Sequence, residues 1–252
     1  MKHIYKLSII LISVFTFIGC NVDDDDPITV RAEKDITAAL VDQRAIIAVA
    51  DDATSYDLEV SFSEDLPSYA TIEYSLDGNV ISASTNTGGS TLNITIPITA
   101  NFHNVVVSDF ILVNATARGF SPSLTGNTSV RIAKQGFFSA TMNWASASFD
   151  LDLGLQPMTA GWGDTFAWID TSLGVTNQEM VEGSELTDGN YALYVEHFTP
   201  AAPVDISFDI SSAGGDFNFS VLTEASGNVL WFNKSTSLDG TVTYTFYTED
   251  PA

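Results

Sequence analysis

The chain is 252 residues long, 45% apolar and 11% aromatic, and its 9 Lys and Arg face 32 Asp and Glu for a formal net charge of −23. That charge disfavours nucleic acid and anionic lipid as partners and favours solubility and divalent cations. With one cysteine no internal disulfide can form, so stability has to come from apolar burial, to which 16 Phe contribute.

The start of the chain reads as a secretory leader. Lys2 and Lys6 make it positive, and residues 7–18 (LSIILISVFTFI) form an uncharged apolar run of 12. A membrane-spanning helix needs roughly 20 apolar residues; the shorter run suits the removable core of a signal peptide. Phe17, Ile18, Gly19 and Cys20 follow, with a small residue at the cleavage position and then the only cysteine. These four residues resemble a bacterial lipobox. The resemblance implies removal of residues 1–19 and a diacylglyceryl thioether on Cys20, usually with an acylated α-amine, so the protein's membrane partner is reached through lipid. Several acyl chains hold a protein at a bilayer far more firmly than one. The other reading is an ordinary leader followed by an incidental cysteine.

Residues 20–27 form a tether. Asp23, Asp24, Asp25 and Asp26 repel one another and keep it extended. Acidic residues just after a lipidated cysteine resemble the surface-export signal of Bacteroidota lipoproteins. That implies display on the outer face of the outer membrane, the alternative being its periplasmic face.

Beyond the tether no segment reads as a long amphipathic helix. Tyr56, Leu58, Val60 and Phe62 alternate with Asp57, Glu59 and Ser61, and Val204, Ile206, Phe208 and Ile210 alternate with polar residues in the same way. Val242, Tyr244 and Phe246 repeat the pattern between threonines. Turn signals stand at Asp77-Gly78-Asn79, Gly88-Gly89, Asp188-Gly189-Asn190, Gly214-Gly215 and Asp239-Gly240. Short strands at roughly 8–12-residue spacing predict an all-β fold of two tandem β-sandwich domains. The boundary is placed near residues 134–136. The Asn-x-Ser/Thr sequons at Asn93, Asn114, Asn127, Asn218 and Asn233 read as polar sheet edges and turns.

Residues 28–134 are predicted to make about eight strands. Within them, residues 114–121 (NATARGFS) and then Val130-Arg131-Ile132 resemble the last hairpin of immunoglobulin-like or fibronectin-III-like modules. Residues 137–252 hold 16 acids against Lys234 alone. They carry Trp144, then Phe149-Asp150-Leu151-Asp152-Leu153, then Gly189-Asn190-Tyr191 opening a further strand. These motifs resemble the bacterial pre-peptidase C-terminal (PPC) domain and related DLDL-type sandwiches, which implies a jelly-roll-type β-sandwich with a buried tyrosine. Instead of the family's Pro-Gly turn, the chain has Gln156-Pro157-Met158-Thr159 and an insertion, Gly161-Trp162-Gly163-Asp164.

Alternation puts Phe149, Leu151, Leu153 and Leu155 inward and Asp150 and Asp152 together on the outward face, roughly 6–7 Å apart. Ca²⁺ takes six to eight oxygens, and Glu182 and Glu185, with Glu179 and Asp188, precede the Tyr191 strand as further donors. Two readings stay open for these acids: a calcium site, or a solvated face that keeps sheet edges from pairing. His103 and His197 stand alone, which excludes a zinc or iron centre. There is no Gly-x-Ser-x-Gly elbow and the only cysteine is assigned to lipid, so no catalytic residue is assigned. Trp144, Trp168 and Trp231 sit in strand-like alternation and read as core. Trp162, between two glycines, reads either as an exposed ligand platform or as a plug over the sandwich end.

The expected function is that of a non-enzymatic surface lipoprotein, a binding or adhesion module that captures a glycan or a surface protein, with a place beside a nutrient-uptake system. A structural spacer and a carbohydrate-active enzyme of unrecognised type are the alternatives. Cys20→Ser is expected to move the protein from the membrane to the soluble fraction on cell fractionation. Wild-type protein recovered wholly in the soluble fraction would contradict lipidation.

Overall fold

Apolar alternation becomes strand throughout the described residues. The computed structural model describes residues 33–66, 70–84, 89–98, 107–146, 148–174, 176–198 and 203–252. The leader, Cys20, the acidic tether, residues 28–32 and His103 lie outside these. Among the described residues there is no helix, and so none long and apolar enough to cross a membrane.

The first half holds β1 (Lys34–Leu40), β2 (Ile46–Val49), β3 (Ser55–Leu66), β4 (Ala70–Leu76), β5 (Asn79–Ser84), β6 (Gly89–Pro97), β7 (Val107–Ala117), β8 (Phe120–Leu124) and β9 (Ser129–Lys134). These nine strands are hydrogen-bonded in the order β2-β9-β7-β8-β1-β3-β6, with β4 joining β7 and β5 joining β4. The long strand β7 pairs with β9 from Val107 to Ile111 and with β4 from Phe110 to Ala117. At Ala117 and Phe120 the chain turns into β8, whose other neighbour is β1, so the ladder folds into two layers. Edge strand β2 runs parallel to β9, and the arrangement is of the immunoglobulin type. Leu58, Val60 and Phe62 of β3 point into the core with Ile72, Ile94, Phe110 and Ile132, as their alternation predicts. The β4–β5 hairpin turns through Asp77 and Gly78 with φ of 48° and 82°, the twist that a two-residue hairpin needs.

The second half holds β10 (Phe138–Trp144), β11 (Leu151–Met158), β12 (Asp170–Ser172), β13 (Gln178–Gly183), β14 (Gly189–His197), β15 (Val204–Ser212), β16 (Gly215–Thr223), β17 (Gly227–Thr236) and β18 (Val242–Tyr247). They make a four-stranded sheet, β13-β10-β15-β16, and a five-stranded sheet, β12-β11-β14-β17-β18. The inner faces meet in a second core. Phe138 of one sheet stacks on Phe232 of the other at 4.5 Å, and Phe217 on Phe246 at 4.5 Å. Each such pair adds about 0.5–1.5 kcal/mol beyond its buried area. Tyr191 is buried here and donates its hydroxyl to the Thr187 carbonyl at 2.6 Å.

Only residues 135–137 separate β9 from β10, and they are pinned on both sides. Gln135 N–H donates to the Val49 carbonyl at 2.8 Å and Gly136 N–H to Asp51 Oδ1 at 2.8 Å, while Leu186 N–H donates to the Gly136 carbonyl at 3.1 Å. Arg131 on β9 donates to Asp109 of the first half at 2.9 Å and to Asp216 of the second at 2.8 Å. Ala133, Phe137, Ala213 and Val242 bury a small core between the halves. The two sandwiches therefore belong to one compact unit, Asp35–Ala252.

Gly136 permits this approach, because a Cβ there would sit 2.5 Å from backbone atoms of Glu185 and Leu186. Backbone cannot swing aside, so Gly136→Ala is expected to destabilise by about 1–3 kcal/mol. In thermal unfolding this appears as a midpoint lower by about 2–10 °C; an unchanged midpoint would mean that the junction is loose.

Candidate functional site

Strand β11 carries the DLDL motif, and half of its predicted pattern holds. Leu151, Leu153 and Leu155 point into the core. The outward half is not solvated: Asp152 is 8% exposed and Gln156 only 1%. Residues 159–169 lie over β11 on this face and shut water away from Gln156. They are seated at Gly154, where a Cβ would collide with the indole of Trp168. That indole packs edge-on against Tyr194 of β14 at 5.5 Å.

Polar stitches fix the covering segment. Ile169 N–H donates to the Leu155 carbonyl at 2.8 Å and Thr165 Oγ1 to the Pro157 carbonyl at 2.6 Å. Asn190 Nδ2 donates to the Thr159 carbonyl at 3.2 Å. Asp164 Oδ1 accepts from Gln156 Nε2 at 3.2 Å and from Asn228 Nδ2 at 2.7 Å, and Gln156 Nε2 also donates to Asn228 Oδ1 at 2.9 Å. Gln156 Oε1 is buried without a hydrogen-bond partner.

Register sets what surrounds this network. Gln156, Ala192, Trp231 and Tyr247 form one row across β11, β14, β17 and β18, and Gly154, Tyr194 and Asn228 form the next. Trp162 reaches from the covering segment to Tyr247, edge-on at 5.3 Å. Two aromatic pairs, Trp168 with Tyr194 and Trp162 with Tyr247, thus flank a floor of Trp231, Ala192 and the Asp164–Gln156–Asn228 network. Tyr194 and Tyr247 are two strand spacings apart, about 10 Å.

The segment is also strained. Trp162 has φ of 62° and Phe166 of 53°, and a left-handed conformation costs a non-glycine residue about 1–2 kcal/mol. Phe166 is nevertheless 76% exposed and Trp168 46%, with Ile169 and Leu173 exposed beside them.

Three expectations change accordingly. Trp168 is not core, because Gly154 offers it a seat outside the sheet. Trp231 is half-buried on the outer face, and only Trp144 is buried in the core. Trp162 is half-buried against Tyr247 on the face of a sheet. Tyr194, Tyr247, Gln156 and Asn228 escaped the sequence reading, since four strands bring them together; the readable signal was Gly154, a lone glycine inside a strand.

The acids divide into separate groups. Asp152 of β11 is buried, and so is Glu179 of β13, which is 2% exposed; Glu179 Oε2 accepts from Ser172 Oγ, and its Oε1 is buried without a partner. Burial pushes the Asp152 carboxyl up to about 6, and the charges of Asp150, Glu179 and Glu196 act in the same direction. Glu182 and Glu185 line a different cleft of about 490 Å³ with Asp170, Pro157 and Tyr191. Asp188 is paired with the buried Lys234 at 2.9 Å. Among the described residues no three His, Cys, Asp or Glu side chains converge to hold a metal ion. Burial also lowers the pKa of His197, whose Nε2 lies 3.2 Å from Thr223 Oγ1.

No protein-family model matches the chain, and no curated protein matches it. Among solved structures it is similar to the apo-form Calx CBD1 domain, at 14% identity over 39% of this chain and 95% of that one, with a TM-score of 0.30. It is similar to CBD12 from CALX1.2 at 10% identity over 66% and 83% of the two chains, with a TM-score of 0.29. It is similar to a tetra-tandem repeat from the extending region of a large adhesion protein at 10% identity over 84% and 72%, with a TM-score of 0.26. Likenesses this remote say nothing about what the outer face binds.

Asp152 has a folded pKa above its unfolded value of about 3.9. Its contribution to stability is therefore full below about pH 4 and lost as pH rises through about 6. In chelator at pH 7.5, Asp152→Asn is expected to be more stable than wild type by about 2 kcal/mol in urea unfolding, and the gap should close near pH 4. A gap independent of pH would refute the raised pKa.

Proposed function

We propose that the protein is a non-catalytic surface lipoprotein whose C-terminal sandwich captures a neutral glycan on the outer face of its five-stranded sheet. The C–H faces of a sugar ring stack on indole and phenol rings, and its hydroxyls need neighbouring donors and acceptors to replace water. The outer face supplies both in one place, with Trp162, Trp168, Tyr194, Trp231 and Tyr247 around the accessible Asp164 and the half-buried Asn228. Its span of about 10 Å takes more than one sugar ring.

The observation that carries this reading is the strain of residues 159–168. A chain that holds Phe166 at positive φ while leaving its ring 76% exposed gains nothing in stability by it. Presenting aromatic surface to a ligand accounts for both features. The formal charge of −23 disfavours anionic polysaccharides, hence a neutral glycan.

The rest of the chain serves display. The lipobox-like Cys20 anchors it, Asp23–Asp26 direct it to the outer face of the outer membrane, and residues 28–134 hold the binding sandwich, residues 137–252, away from the bilayer. The PPC-like motifs support a module that binds and does not turn over what it holds.

Trp162→Ala is expected to weaken binding on a neutral-polysaccharide panel at least tenfold, about 1.4 kcal/mol, while the unfolding midpoint stays within about 2 °C of wild type. Wild-type protein that binds no member of the panel, a variant with undiminished binding, or release of reducing ends by the wild type would each overturn the proposal.

A further inference from the structure

The four-stranded sheet of the C-terminal half ends on β16, in the other layer from the aromatic face. Among the described residues β16 pairs with β15 alone, so alternate residues along its nine turn their backbone N–H and C=O groups outward. An open edge of this kind is a template for another strand unless something blunts it. The other edges are blunted or short. On β13 the Met180 and Glu182 N–H groups donate to Ser172 Oγ at 3.3 Å and Asp170 Oδ2 at 2.8 Å. Strands β2, β5, β12 and β18 are three to six residues long. Strand β6 has nine residues, but it ends on Pro97 and its inward Leu92, Ile94 and Ile96 are buried. Strand β16 has no proline and a single charge, Asp216, which Arg131 pairs at 2.8 Å. Its inward Phe217, Phe219 and Val221 pack on the core yet are only half-buried.

We propose that β16 is a dimerisation edge, pairing antiparallel with β16 of a second copy about a two-fold axis at Phe219. Charge selects this partner. In that register Phe217 stands opposite the second copy's Val221, Asn218 opposite its Ser220, and Asp216 opposite its Leu222. Pairing with β15 extends these rows across the sheet. Asp209 and Asn218 meet the copy's Ser220 and Ser207, and Asp205 and Leu222 meet its Asp216 and Ser211. The nearest acids along a row, Asp205 and the copy's Asp216, are two strand spacings apart, about 10 Å. That exceeds the screening length of about 8 Å at physiological salt, and Asp216 is already held by Arg131. A chain with a net charge of −23 therefore meets an equally acidic copy here without like charges facing across the join. Self-pairing covers Phe217, Phe219 and Val221 of both copies and makes one continuous sheet of their two four-stranded sheets. Two nine-residue strands make a contact at the low end of interface sizes, so the dimer is weak and exchanges. The edge stands whether or not the aromatic face binds sugar.

The test is disulfide trapping in the Cys20→Ser chain, which has no native thiol. Asn218→Cys and Ser220→Cys are made in separate chains; both positions are exposed, so the fold is kept. Opposed residues of an antiparallel pair lie about 4.5–5.5 Å apart, within disulfide reach. Position 218 and its own copy, or 220 and its copy, lie on a diagonal of about 7–8 Å, too far to bridge. The two variants are mixed and mildly oxidised at about 100 µM, which suits a contact of this small size. The mixture is expected to give at least about fivefold more disulfide-linked dimer on a non-reducing gel than either variant alone. A mixture that gives no more dimer than its components overturns the proposal, whether no dimer forms or the copies meet in another register.

Discussion

The seating of Trp168 on Gly154 is the contact from which the functional half of the molecule follows. A strand of an antiparallel sandwich ordinarily has one wet face, and β11 would have one too if residue 154 carried a side chain. Because it does not, an indole fourteen positions down the chain can sit over the strand, and it brings residues 159–169 with it. Once that segment is down, Gln156 is buried and has to find partners in Asp164 and Asn228. Asp152 is also buried on this strand, and its carboxyl rises in pKa by burial first and then by the charges of Asp150, Glu179 and Glu196. Trp162 is carried across to Tyr247 at the far edge.

A second constraint acts at the other end of this sandwich. Residues 135–137 leave no slack, and Arg131 reaches acids in both halves. Each ion pair there is partly exposed and worth at most about 1 kcal/mol. Together with the backbone bonds to Val49, Asp51 and Leu186 and the small core around Phe137, they hold the sandwiches as one body.

Much of the fold was legible in local sequence. Leu58, Val60 and Phe62 of β3, and Val204, Ile206, Phe208 and Ile210 of β15, point inward as alternation requires, because a strand exposes successive residues to opposite faces and only one face here meets the core. Asp77-Gly78 makes its hairpin for equally local reasons. The site was legible only in fragments. Trp162 was singled out by its two glycines, and Asp152 by its motif. Trp168 was misread as core, since alternation says that a residue is apolar and periodic but not which of two apolar seats it takes. Glu182 and Glu185 read as companions of Asp152, yet Glu182 on β13 and Glu185 just after it line a separate cleft.

What the sequence determined by itself is whatever depends on near neighbours or on composition: an all-β chain, the hairpin turns, an acidic surface without disulfides, and a lipobox-like Cys20 with acids behind it. Tertiary structure alone decided that Gln156, Tyr194, Asn228 and Tyr247 share a face, and that Asp152 and Glu179 are both buried. The reason is that strand register and sheet order, which bring together residues up to 91 positions apart such as Gln156 and Tyr247, are set by the packing of both cores at once. No local pattern carries that information.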